Sequence, residues 1–257
     1  MTGFLLHLYG PMQAWGDTGF GQLREAGEFP SRAAVLGLVA AALGLPRADD
    51  RLVLLHEALR VDVATARPGD VRRDFHTVET RVGGNRTLTA RDYHHDAHFV
   101  ALVRPAAPEH ASLLADAEAA LRRPAFGTFL GRRSCPPALP LLPDAVKGDA
   151  HVALVAAAEH TREAFPRDDR TWRRRDTRSP LTVWLDGHIE AAAIPEALRS
   201  ARSVTHGTRR ARLIGPRRAY AASSFTRVVL AHSPALSQPD PNETYFDAIP
   251  DPPAPAS

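Results

Sequence analysis

Residues 60–104, RVDVATARPGDVRRDFHTVETRVGGNRTLTARDYHHDAHFVALVR, decide the fold. The two ends read as strands. RVDVATA (60–66) alternates apolar and polar side chains, and AHFVALVR (97–104) is a short apolar run. Between them lie about 30 residues, 67–96, where a compact hairpin uses two to five. An insertion that long in a small domain is usually functional or disordered. β-Branched residues flank Gly83-Gly84, so it reads as a protruding hairpin. Residues 71–91 carry five arginines against Asp74 and Glu79, a net +3.

Upstream, GFLLHLY (3–9) sets Phe4, Leu6 and Leu8 on one face and stops at Gly10-Pro11, which predicts a first strand. A Gly-rich loop leads to Pro30-Ser31, where Ser31 suits a helix N-cap. Val35, Leu38, Val39, Ala42 and Leu43 follow the amphipathic helical spacing, and Gly44 and Pro46 end the run. DDRLVLLHEAL (49–59) predicts a second short helix. Downstream, residues 108–122 predict a helix with Pro108 in its first turn and an apolar face of Leu113, Leu114, Ala117 and Leu121. FGTFLG (126–131) is expected to supply the next strand.

The order strand, helix, strand, strand, helix, strand is the ferredoxin-like (RRM-like) βαββαβ pattern, so the fold class is α+β. HVALVAAA (151–158), LTVWLDG (181–187) and TRVVLAH (226–232) are expected as strands of a smaller β-rich part. The expected layout is a domain over 1–140 with its insertion at 67–96, an Arg-rich β part over 141–233, and a Pro-rich mobile tail over 234–257.

Composition narrows the function. The chain has 257 residues, 44% hydrophobic and 24% charged, ordinary for a globular protein. One cysteine, Cys135, excludes an internal disulfide. No apolar run is long enough for a membrane helix, and the N-terminus lacks signal-peptide character, so a cytoplasmic protein is expected, with no membrane partner. Of the 32 basic residues only Lys147 is a lysine. GC-rich codon usage accounts for abundant Arg, Ala and Pro, but not for their placement. Residues 162–218 carry 14 Arg and 7 acids, whereas 232–257 carry 4 acids and no Lys or Arg. An Arg-built surface points to a phosphate polymer.

Several chemistries find no support. Tyr93, His94, His95, Asp96 and His98 invite a metal reading, but on a strand His94 and His95 point apart, and no paired-Cys or HExxH motif accompanies them. Cys135 as a nucleophile is less natural than a buried thiol. Gly10, Gly16, Gly19 and Gly21 form no nucleotide-binding fingerprint, so no cofactor is expected. The RNP1 signature is absent, which leaves loops, the insertion and the first helix's N-terminus to bind RNA. The helices carry mainly apolar faces, against a DNA-binding regulator.

GPMQAWG (10–16), FPSRAAVLGLVAAALG (29–44), DFHTV (74–78), TARDYHHDAHF (89–99) and LGRRSCP (130–136) resemble the CasD family, in the right order over about residues 1–140. That family is the handle-binding subunit of the type I-E CRISPR Cascade, within the RAMP superfamily. Phe75 stands where the family commonly has Tyr. The resemblance implies a RAMP-type ferredoxin-like domain with a thumb hairpin. It further implies a non-catalytic scaffold in antiviral defence that caps the 5′ handle of the guide RNA (crRNA). Its implied partners are the Cascade backbone subunit, through the thumb, and the large PAM-reading subunit; target DNA would be met through the assembled complex.

The residues offer matching chemistry, since an unpaired RNA end is held by phosphate contacts, stacking and base-edge hydrogen bonds. The first loop offers the Gln13 amide and the Trp15 ring. Ser31, Arg32, Arg132 and Arg133 offer phosphate donors, and the insertion offers His76, Thr77, Arg81, Arg86 and Arg91. The rival class is a metal-independent endoribonuclease that processes repeat RNA. It would take its base and acid from His76, Tyr93 and His94 and its cation from Arg91.

Overall fold

The computed structural model describes residues 1–16, 23–79, 84–164, 180–215 and 219–230. In chain order the strands and helices are β1 (Gly3–Tyr9), β2 (Met12–Gln13), β3 (Leu23–Arg24), α1 (Arg32–Ala42), α2 (Arg51–Ala58), β4 (Leu59–Arg67), β5 (Asp70–Glu79), β6 (Arg86–His95), β7 (His98–Pro105), α3 (Ala111–Arg122), β8 (Asp144–Val146), α4 (Ala150–Ala164), β9 (Thr182–Asp186), β10 (Ala201–Gly215) and β11 (Ala219–Leu230). The protein is of mixed α+β class.

Seven strands form one antiparallel sheet in the order β10-β11-β9-β4-β7-β1-β8. Both faces are covered, which is why β1 and β7 read as near-continuous apolar runs. Phe4, Leu6 and Leu8 pack with Val35 and Val39 of α1 and Leu114 and Ala117 of α3. Leu5, Val100 and Leu102 turn to the other face and meet Leu154, Val155 and Ala158 of α4. Each such large apolar side chain stabilises by roughly 1.5–3 kcal/mol when buried. α1 begins as expected: the Ser31 side chain accepts from the Ala34 N–H at 3.2 Å.

One carboxylate ties the layers together. Asp62 on β4 is fully buried. Its Oδ1 accepts from the Asp186 N–H at 2.8 Å, and its Oδ2 accepts from Arg104 Nε at 2.8 Å and His151 Nε2 at 3.1 Å. β4, β7, β9 and the first turn of α4 therefore share one buried charge.

Two expectations are corrected. HVALVAAA lies in α4, not in a strand. Leu154, Val155, Ala158 and Thr161 bury one helical face, and alanines favour helix. Asp149 Oδ1 accepts from the N–H groups of His151 and Val152 and starts the helix. FGTFLG is irregular, and the strand beside β1 is β8. The backbone there closes a tight loop instead of a ladder: Leu130 N bonds Cys135 O and Cys135 N bonds Arg132 O. Gly131 adopts φ +92°, and a Cβ there would run into the Ala14 carbonyl. β10 was not foreseen at all, and the expected tail at 234–257 lies outside the described residues.

Candidate nucleic-acid interface

The insertion is a two-stranded arm. β5 and β6 pair in continuous register from Asp70↔His95 to Glu79↔Arg86. At its root Gly69 has φ +65°, and a Cβ there would meet the His95 carbonyl. β6 also pairs with β2 and, in parallel, with β3, so the arm grows from a second, four-stranded sheet.

Register sorts the arm into two unlike faces, because directly paired residues point the same way. One face carries Asp70, Arg72, Asp74 and His76 from β5, with Arg91 and Tyr93 from β6 and Arg24 from β3. The other carries Val71, Arg73, Phe75, Thr77 and Glu79, with Arg86, Leu88, Asp92 and His94 from β6 and Leu23 from β3.

The first face is cationic. Arg132 joins it from the 130–135 loop: its Nη1 donates to the Tyr93 hydroxyl at 3.0 Å, and its guanidinium lies 5.1 Å from the Tyr93 ring centre. Four guanidinia (Arg24, Arg72, Arg91 and Arg132) thus accompany two carboxylates, Asp70 and Asp74. Arg72 approaches Asp70 only to 3.8 Å. Asp74 stands opposite Arg91 but turns to His76, whose Nε2 is 2.9 Å from its Oδ2. Among the described residues Arg91 makes no ion pair, and its buried Nε has no hydrogen-bond partner. Among these residues its charge is uncommitted.

The second face is apolar and internally neutralised. Val71, Phe75 and Leu88 are 56%, 62% and 59% exposed. Arg73 clamps Asp92 through two bonds of 2.7 and 3.1 Å, which holds the Asp92 carboxyl below its usual range. Arg86 Nε donates to Glu79 at 2.8 Å.

The structure redistributes the expected site residues. His76, Arg91 and Arg132 gather on the cationic face, with Arg133 exposed beside Arg132. Thr77 and Arg86 lie on the opposite face, and Arg81 falls outside the described residues. Gln13 and Trp15 are corrected: they are core residues, 0% and 1% exposed. The Gln13 amide donates to the Leu8 and Ala97 carbonyls at 3.1 and 2.5 Å and accepts from Trp15 Nε1 at 2.7 Å. Neither is open to RNA.

Arg32 is corrected as well. Its guanidinium pairs with Asp186 at 3.3 Å and donates to the carbonyls of His56 and Leu59. The site is buried, so the charge is consumed in holding α1, the α2–β4 corner and β9 together. Ser31 spends its hydroxyl on the helix cap. Arg209 Nη1 and Nη2 donate to the carbonyls of Phe29 and Gly16, across the segment that leads into α1.

His94 leaves the set proposed for cleavage. It lies on the opposite face from His76, and its Nε2 donates to the Gly27 carbonyl at 2.7 Å. Burial lowers its pKa. Arg24, Arg72 and Asp74 were missed as site residues, and only the strand register reveals them. Among the described residues no three His, Cys, Asp or Glu side chains gather to hold a metal ion, and no helix is long and apolar enough to cross a membrane.

Known proteins resemble this chain over most of its length. The sequence model of the family described as CRISPR-associated protein (Cas_Cas5) matches residues 3–221. The CRISPR system Cascade subunit CasD of Escherichia coli (strain K12) is 37% identical over 153 residues, 53% of this chain and 68% of that protein. A solved structure titled CRISPR RNA-guided surveillance complex superposes with a TM-score of 0.57 at 28% identity, covering 89% of both chains. A second, titled Crystal structure of Cas protein, gives 0.57 at 23% identity over 89% of this chain and 94% of that one, a likeness of fold. With the match to the family running through both the arm and the sheet that carries it, the chain belongs to the CRISPR-associated Cas5 family.

Proposed function

We propose that this chain is a non-catalytic RNA-binding subunit of a type I-E Cascade surveillance complex, working in the cytoplasm, and that it caps the 5′ handle of the crRNA. The observation that carries the reading is the uncommitted Arg91 guanidinium at the centre of the cationic face. Arginine forks suit phosphate oxygens, and an arm exposed on two sides suits a single-stranded end better than a duplex. A Cascade subunit among its relatives supports the assembly. The strand order β4-β7-β1-β8, with α1 and α3 on one face, supports a RAMP-type ferredoxin-like domain whose thumb is the β5–β6 arm.

The apolar face of the arm has the composition of a protein contact, and the backbone subunit is its proposed partner. The large PAM-reading subunit follows from the family resemblance, and target DNA is met through the assembled complex. The chemistry needs no cofactor.

Metal-independent cleavage is a second reading, favoured by one observation: His76, Asp74, Tyr93 and Arg91 share a face. One experiment separates the two. The purified chain is incubated with its own repeat RNA in EDTA. Retention of intact RNA supports the scaffold. Specific cleavage, abolished by a 2′-deoxy substitution at the cut site, replaces it with the nuclease.

A further inference from the structure

Asp74 is a carboxylate set among arginines. It is paired directly across the arm with Arg91, where opposite charges ordinarily meet. Instead its Oδ2 lies 2.9 Å from His76 Nε2, and its Oδ1 accepts from the Phe75 N–H at 2.8 Å. The side chain is 60% exposed, so further lone pairs face outward. A phosphate would be repelled there. A ligand whose phosphate sits on Arg91 must therefore offer Asp74 a hydrogen-bond donor.

Every ribonucleotide carries such a donor, whatever its base: the 2′-hydroxyl, next to the 3′-phosphate. Directly opposed side chains of an antiparallel pair start about 5 Å apart at Cβ. A phosphate on Arg91 therefore brings the 2′-hydroxyl of its own nucleotide within reach of Asp74, whose Oδ1 is held by the Phe75 N–H. Deoxyribose offers no donor and leaves the carboxylate beside a phosphate with nothing to offset the repulsion.

We infer that Asp74 accepts the 2′-hydroxyl of the nucleotide whose phosphate Arg91 holds, and so makes the cationic face selective for RNA over DNA. This rests on the reading of that face as an RNA interface.

The full chain is titrated with labelled single-stranded handle RNA, DNA of the same sequence, and RNAs with one 2′-deoxy substitution at each position in turn. A hydrogen bond to a charged group is worth about tenfold or more. The wild type is expected to prefer RNA by about that factor, with the loss concentrated at one substituted position. Asp74→Ala, on an exposed strand, is expected to fold normally and bring the RNA and DNA affinities within about twofold. Arg91→Ala is expected to weaken both polymers together. An unchanged RNA-to-DNA ratio in Asp74→Ala overturns the inference, and so does a loss that follows base identity instead of the ribose; in both cases the RNA interface itself stands. Failure of the wild type to bind either polymer at low salt overturns the interface and the inference together.

Discussion

The Tyr93 hydroxyl accepts a 3.0 Å hydrogen bond from Arg132 Nη1, and the same guanidinium lies 5.1 Å from the Tyr93 ring centre. The two residues come from β6 and from the 130–135 loop, so the contact fixes a cation that would otherwise swing with its loop. Tyr93→Phe keeps the ring and loses the acceptor. We expect RNA affinity to fall about three- to tenfold, in line with losing a part-buried hydrogen bond to a charged group. Arg132→Ala should also flatten the dependence of log affinity on log salt by about 0.7, the loss of one phosphate contact on a single strand. Fluorescence anisotropy at several salt concentrations checks both. A slope unchanged in Arg132→Ala removes this residue from the interface.

Arg32 should matter for stability and not for RNA. Its side chain is 10% exposed and that of Asp186 4% exposed, so Arg32→Ala leaves a buried carboxylate without its partner. Breaking such a pair typically destabilises by about 3–5 kcal/mol. Urea unfolding should show a loss of that order, while RNA affinity below the unfolding transition stays within about twofold of wild type. Arg32→Lys should recover little, because one ammonium cannot span Asp186 and the carbonyls of His56 and Leu59 as the fork does. Unchanged unfolding with lost RNA would return Arg32 to the interface.

These two arginines mark where sequence reading stops. The elements whose signal is local were legible: β1, α1 with its Ser31 cap, β7 and α3 all follow periodicity and punctuation. α4 was misread because an Ala/Val run fits both periods until its length and neighbours arbitrate. β10 carries little apolar alternation, as Ser203, Thr205 and Gly207 occupy one of its faces. For the site, composition found the arm but could not sort it, since facing is set by register. Arg91 and Arg86 look alike in sequence, yet among the described residues only Arg86 has a carboxylate partner. The commitment of Arg32 depends on a residue 154 positions away, and the burial of Trp15 depends on Gln13 turning inward.

Stability should fall as the solution is acidified below neutrality. Burial lowers the pKa of His98 to about 3 and that of His56 to about 4, while an unfolded histidine titrates near 6.5. Below that value the unfolded chain binds more protons than the folded one, so stability drops with pH until the folded pKa values are passed. Each histidine contributes up to about 1.4 kcal/mol per pH unit in that window. Asp62 extends the loss. Burial pulls its carboxyl up, but His151 and Arg104 outweigh this and hold it below the ordinary range. Its contribution is present above the unfolded carboxylate pKa and disappears as pH falls through the lower folded value. Asp186 works in the opposite sense, since burial raises its pKa. Urea midpoints at pH 7, 6 and 5 should decline, and His56→Leu should decline less steeply. A flat profile from pH 7 to 5 would show that these histidines titrate freely in the folded protein.

The apolar face of the arm should be needed for assembly and dispensable for folding. Phe75 and Leu88 are 62% and 59% exposed, so the folded chain loses little when they are changed. Val71 and Leu23 extend the same surface, and among the described residues the Arg73–Asp92 and Arg86–Glu79 pairs neutralise its charges. A partner that buried Phe75 and Leu88 would gain roughly 1.5–3 kcal/mol from each, enough to decide whether a modest interface holds. The double variant Phe75→Asp, Leu88→Asp should keep the wild-type unfolding midpoint and, as an isolated chain, its RNA affinity. It should fail to copurify with the other Cascade subunits when all are expressed together, because two charges would have to be buried without partners. Charging the cationic face instead, with Arg91→Glu, should lose RNA from the isolated chain. If the double variant copurifies at wild-type yield, the apolar face is not the surface through which the arm joins the complex.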